Sequence, residues 1–197
     1  MNTRRKFLTT AAAAGLAAPG APAVEAGKGV CECISLDGEW RFRVDEKAAW
    51  KTVTVPHTWQ VTPGLEEHYG TAWYERTFDV PAEWSASVVR VEFEAVFHSA
   101  WVTVNGQAVG EHTGKGYTAF ALDIIRALKF GGRNTIAVKV DNGFNENMLP
   151  RGRSSDWAHD GGIYRPVSLL VTPKPYIERV DVDAIPEGRG ARLEIDV

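Results

Sequence analysis

The chain has 197 residues, 44% of them hydrophobic and 24% charged, with a formal net charge of -3. That length holds one domain of ordinary size plus further segments. Mild acidity argues against a nucleic-acid binder, which carries a basic patch and a high pI, and no apolar run reaches the roughly 20 residues that span a bilayer.

The first residues read as an address. Thr3-Arg4-Arg5-Lys6-Phe7-Leu8 resembles the twin-arginine export consensus. A mildly apolar, Ala-rich stretch over 9–18 follows, and then the small residues Ala21-Pro22-Ala23. Charged, apolar and small-residue zones in that order make a cleavable signal, 1–26, with cleavage expected after Ala23 or Ala26. The mature protein is then expected to be periplasmic or extracellular. Residues 27–34 read as a linker. Cys31 and Cys33 are the only cysteines. Two such ligands do not make a structural zinc site, and their closeness disfavours a mutual disulfide. No metal or cofactor is expected.

From Ser35 onward, short strands alternate with turns. Tyr74, Arg76, Phe78 and Val80 alternate with Trp73, Glu75, Thr77 and Asp79. Val89, Val91, Phe93 and Ala95 alternate with Arg90, Glu92 and Glu94. This period of two marks half-buried strands. Asn105-Gly106 between two apolar runs is a hairpin signal, because a type I′ turn needs positive φ at both central residues. The segment 123–128 allows a turn or two of helix before Gly131-Gly132. Ile136, Val138 and Val140 alternate again, and 167–171 is a more fully apolar strand. Such a chain predicts an all-β sandwich or jelly roll. After Pro173-Lys174-Pro175, Val180 and Val182, a turn at 186–190, and Leu193, Ile195 and Val197 predict one hairpin of a second β domain, 174–197, cut off mid-strand.

Five segments then resemble the sugar-binding domain of glycoside hydrolase family 2, the family of β-galactosidases, β-glucuronidases and β-mannosidases. They are Ser35-Leu36-Asp37-Gly38-Glu39-Trp40-Arg41-Phe42, Val55-Pro56-His57-Thr58-Trp59, Trp73-Tyr74-Glu75-Arg76-Thr77-Phe78, the hairpin over 98–120, and Gly161-Gly162-Ile163-Tyr164-Arg165-Pro166-Val167. The resemblance implies a galactose-binding-domain-like jelly-roll β-sandwich over 35–173, followed by the first strands of an immunoglobulin-like domain. Packing accounts for most of the motif residues. Trp40, Phe42, Phe78 and Trp101 are expected in the core, Gly161-Gly162 in backbone conformations closed to other residues, and Arg165 on a buried or interdomain carboxylate.

The polar stretch 142–160 is too long for an ordinary connection within a compact domain. It carries Arg151, Arg153, Asp156, Trp157 and His159. In β-galactosidase-like members an aspartate just before a Trp in this loop reaches the neighbouring barrel's active site, and Asp156-Trp157 matches it. The candidate sugar contacts are therefore Asp156, Trp157, Arg151 and His159. An Asn that members of the family carry just upstream of the W-Y strand has no match at Tyr69 or Gly70.

No catalytic residue is expected in the chain. Retaining glycosidases need two carboxyl groups about 5–5.5 Å apart, which this family places on a barrel of about 250 residues. Asn145-Glu146 imitates the family's acid/base pair without a barrel strand before it. The sequence thus reads as the non-catalytic sugar-binding domain of a secreted β-glycosidase of β-galactosidase type, its partners a β-glycoside and the catalytic domain of the same protein. A free-standing carbohydrate-binding module and a purely structural domain are the alternatives.

Overall fold

In a computed structural model, residues 31–146, 148–149, 157–177, 179–188 and 190–196 are described. The signal-like segment 1–26 lies outside them. Among the described residues, twelve strands run in chain order: β1 (Glu32–Ser35), β2 (Gly38–Arg43), β3 (Lys51–Val55), β4 (Thr71–Val80), β5 (Val88–Phe93), β6 (Ser99–Val104), β7 (Gln107–His112), β8 (Phe120–Asp123), β9 (Gly132–Asp141), β10 (Val167–Thr172), β11 (Asp181–Glu187) and β12 (Gly190–Asp196). They form a six-stranded sheet ordered β3-β2-β4-β9-β6-β7, a four-stranded sheet ordered β1-β10-β5-β8, and the separate hairpin β11-β12. Every pairing is antiparallel. The fold is an all-β sandwich of jelly-roll type plus a small hairpin, as the sequence predicts.

Alternation decides which face each strand buries. In β9, Asn134, Ile136, Val138 and Val140 are fully buried while their neighbours face water. In β5, Val89, Val91 and Phe93 point inward. The inner faces of both sheets meet in one continuous core that includes Trp40, Phe42 and Tyr74 from the six-stranded sheet and Val167 and Leu169 from the four-stranded one. Burying each such side chain contributes about 1.5–3 kcal/mol. Asn105 at φ +52° and Gly106 at φ +80° make the expected hairpin turn between β6 and β7. The Asn105 side chain also donates to the Ala127 carbonyl (2.8 Å) and to Asn134 Oδ1 (2.7 Å). The helical possibility at 123–128 shrinks to a 3₁₀ turn, Ile125–Ala127.

Some expectations need correction. Residues 32–34 belong to β1, which pairs with β10 from Glu32↔Val171 to Ser35↔Ser168, so they are not linker. The strand is short and largely exposed, Cys33 included, so no alternation betrays it. Trp101 is not in the core. It stands on the outer face of the six-stranded sheet in one row with Lys139 and Trp73. The Lys139 ammonium lies 5.4 Å from the Trp101 ring, and Arg43 lies over Trp50 (4.3 Å) and Trp73 (6.0 Å). Cation–π contacts of this exposed kind are worth roughly 0.5–1 kcal/mol each.

The second hairpin forms where the sequence places it, but its turn is tighter. Pro186 stays in β11, and Glu187 pairs with Gly190. Among the described residues of β11 and β12 all but Ile185 are exposed.

Candidate functional site

At one end of the sandwich the segment Gly161-Gly162-Ile163 runs as a strap between two loops. On one side His57 N–H donates to the Ile163 carbonyl (2.7 Å) and Trp59 N–H to the Gly161 carbonyl (3.0 Å). On the other, Phe97 and Gly162 exchange both backbone bonds, at 2.9 and 3.1 Å. Gly161 N–H donates to Gln60 Oε1 at 2.7 Å. Small residues are obligatory here. A Cβ on Gly161 would run into the Trp59 ring, and one on Gly162 into the His57 carbonyl oxygen, with Gly162 also at φ +142°.

The loop side of the strap is fixed by the two motif aromatics. Trp59 is wholly buried and donates from Nε1 to the His68 carbonyl (3.0 Å). Burial raises the pKa of Tyr74 well above its ordinary value, against the hydrogen bond with the Ile163 backbone. Its hydroxyl lies 2.8 Å from His57 Nδ1, and the other ring nitrogen, Nε2, lies 3.4 Å from Thr62 Oγ1; with the imidazole proton on Nε2 the hydroxyl would be the donor to Nδ1. Burial lowers the His57 pKa to about 4, so the ring is neutral at ordinary pH.

Against this scaffold lies a cavity of about 250 Å³ lined by Thr58, Phe97, Tyr117, Trp157, Ala158, Asp160 and Tyr164. Its walls are aromatic and held by their polar tips. Trp157 Nε1 donates to the Tyr117 hydroxyl (3.0 Å), which donates on to the Leu149 carbonyl (3.2 Å). The Tyr164 hydroxyl donates to the Gly116 carbonyl at 2.7 Å. Trp157 remains 51% exposed and Tyr117 43%, so both side chains are partly accessible to solvent. Rings anchored this way suit stacking on the C–H face of a pyranose, and Asp160 supplies acceptors for hydroxyls. The base of the 142–160 loop is pinned by buried Asn142, which accepts from Gly70 N–H (2.9 Å) and donates to the His159 carbonyl (2.8 Å).

Of the four residues chosen from the sequence, the structure puts Trp157 on the cavity wall. His159 is buried behind it, near Phe97 (ring centroids 5.9 Å apart) and Phe144 (6.3 Å). Arg151 and Asp156 lie outside the described residues, as does Arg153. Phe97, Tyr117 and Tyr164 are wall residues that the sequence reading passed over. Tyr164 sat in plain view inside the G-G-I-Y-R motif. Tyr117 carries no local signal, because only the closed sandwich brings it to Trp157. Arg165 meets no carboxylate among the described residues. It is exposed, 5.8 Å over the ring of Tyr164.

The model of the glycosyl hydrolases family 2 sugar binding domain matches residues 23–173. The chain belongs to glycosyl hydrolase family 2. It is 37% identical over 150 residues to a β-galactosidase of Thermoanaerobacter pseudethanolicus, covering 74% of this chain and 20% of that protein. With a β-glucuronidase of Bacteroides fragilis it shares 32% identity over 154 residues, or 75% of this chain and 22% of the relative. Among solved structures, the family 2 fold is similar to a β-D-glucuronidase of Dictyoglomus thermophilum at a TM-score of 0.75 and 26% identity, over 84% of this chain and 32% of that one. The β-glucuronidase of Ruminococcus gnavus in complex with D-glucaro-d-lactam gives 0.74 and 27%, over 84% and 33%. The chain thus spans about a fifth to a third of these family 2 enzymes.

Proposed function

We propose that this family 2 domain contacts the glycoside substrate of a secreted β-glycosidase, with β-galactosides as the substrate class. The observation that carries the reading is the aromatic cavity between Tyr117 and Trp157, at the end of the 142–160 loop. Its described lining holds one carboxylate, Asp160, and no cation. A uronate would meet a like charge there, whereas a neutral galactoside offers hydroxyls to the same oxygens. Asp156 and Arg151 enter the proposal on their sequence alone, Asp156 as the chain neighbour of Trp157, and buried His159 backs the cavity wall. The (β/α)₈ partner supplies the two catalytic carboxyl groups, so this chain alone hydrolyses no glycoside.

Binding of methyl β-D-galactoside and methyl β-D-glucuronide to the purified chain, followed by backbone amide NMR shifts, tests the reading. Galactoside should shift the amides around Tyr117, Trp157 and Tyr164, and Trp157→Ala should weaken that response at least tenfold. A stronger response to the glucuronide would overturn the choice of sugar. Export by the twin-arginine route is part of the same proposal and rests on Arg4-Arg5. Replacing both by Lys should leave unprocessed precursor in the cytoplasm, and normal export of that variant would refute the route.

A further inference from the structure

A second cleft lies elsewhere, on the water-facing side of the six-stranded sheet. Strand β2 pairs with β4 only from Arg41↔Glu75 to Arg43↔Trp73. Beyond Glu75, β4 keeps its pairing with β9, through Arg76↔Ile136 and Thr77↔Thr135, while β2 continues beside β3 alone, through Trp40↔Val53 and Glu39↔Thr54. The two strands therefore part at Glu39 and Thr77. The Arg76 guanidinium bridges the gap, donating to the carbonyls of Asp37 (3.0 Å) and Glu39 (3.2 Å). What remains is a cavity of about 470 Å³ lined by Glu39, Trp40, Arg41, Thr52, Glu75, Arg76 and Thr77. It shares no lining residue with the Trp157 cavity.

We propose that this cleft is a second saccharide site, for one uncharged pyranoside residue. Its size lies within the roughly 300–1,000 Å³ of small-ligand pockets. Its chemistry is that of a polyol site: two carboxylates to accept hydroxyl protons, two guanidinium groups to donate, and the hydroxyls of Thr52 and Thr77 to do either. The charges cancel, which disfavours a ligand that carries net charge. Arg41 is set in place by Glu75 Oε1 at 2.6 Å and by the Trp50 ring, 4.6 Å from its guanidinium carbon. Arg76 is set by its two carbonyls. Groups already oriented lose little entropy when a sugar binds, which is what a shallow polar site needs. The site stands apart from the loop-end cavity, and either could exist without the other.

The same amide NMR titration of the intact chain with methyl β-D-galactoside tests it. Saturable shifts are expected at Glu39, Arg41, Thr52, Glu75 and Thr77. Glu75→Gln should weaken them at least tenfold, and Trp157→Ala should leave them unchanged. Glu39→Gln, at an exposed residue, gives a second variant whose fold is not at risk, and it too should weaken them. Shifts confined to Tyr117, Trp157 and Tyr164 would overturn the second site while leaving the first intact. So would cleft shifts that persist within twofold in both Gln variants, or that follow methyl β-D-glucuronide more strongly than the galactoside.

Discussion

At Gly162 the backbone sits at φ +142°, and any Cβ meets the His57 carbonyl oxygen. Strained φ/ψ costs about 1–3 kcal/mol, and the overlap adds an amount of similar size. Gly162→Ala should therefore lower stability by about 3 kcal/mol and the melting temperature by roughly 10 °C, read by circular dichroism. A variant melting within about 2 °C of the parent would mean that the strap moves aside freely. His57 makes a second residue-scale prediction. Its folded pKa of about 4 lies below the ordinary histidine value of 6.5. Below pH 6.5 the unfolded chain takes up a proton that the folded chain refuses, so stability falls as pH drops from 6.5 toward 4. His98 and His112, also lowered by burial, act in the same direction. The His57 share is on the order of 1–2 kcal/mol, reduced from the full linkage value because the ring is partly open to water. His57→Gln keeps an acceptor for Tyr74 and should flatten that acid limb. An unchanged slope between pH 6.5 and 4 would remove His57 as its cause.

Among the elements, β10 and the β11-β12 hairpin differ most in what they hold. β10 lies between β1 and β5 and buries Val167, Leu169 and Val171. The hairpin is a sheet of its own with almost every side chain in water, and two strands alone are marginally stable. Tyr176, with Arg90 5.1 Å from its ring, is a contact between this end of the chain and the sandwich. A chain ending at Pro173 should thus lose no more than about 1 kcal/mol, whereas one ending at Pro166 should not fold. Chemical denaturation of the two chains checks both. If the chain ending at Pro173 were markedly destabilised, the hairpin would be an integral part of the sandwich.

For the molecule as a whole, what the sequence made legible was local. Alternation in β4, β5 and β9 showed which side chains face inward, and Asn105-Gly106 showed a turn. The partners of those faces were not legible. Trp101 alternates as a strand residue should, yet only the order β4-β9-β6 puts it beside Lys139 on the outside. The Trp157 cavity combines residues from four loops, and nothing in the neighbourhood of Tyr117 in the chain points to residue 157. The sheet-face cleft exists because β2 leaves β4 after three pairs, and pairing that stops has no sequence signature. The strap is the intermediate case. Its glycines were legible as special, and what presses on them was not.

The position of β10 also bears on how the protein comes to exist in time. Its partners β1 and β5 end at Ser35 and Phe93, and residues 94–166 must be made before β10 begins at Val167. At about 5–20 residues per second, that gap lasts roughly 4–15 s on the ribosome. Throughout it, the inner row of β5 has no neighbour on the β10 side, and β1 has none at all. The four-stranded sheet cannot be completed progressively from one edge; it waits for its central member. A nascent chain paused before Val167 presents an open slot flanked by apolar strand, so the last stretch of translation is when this protein most needs shielding from its neighbours.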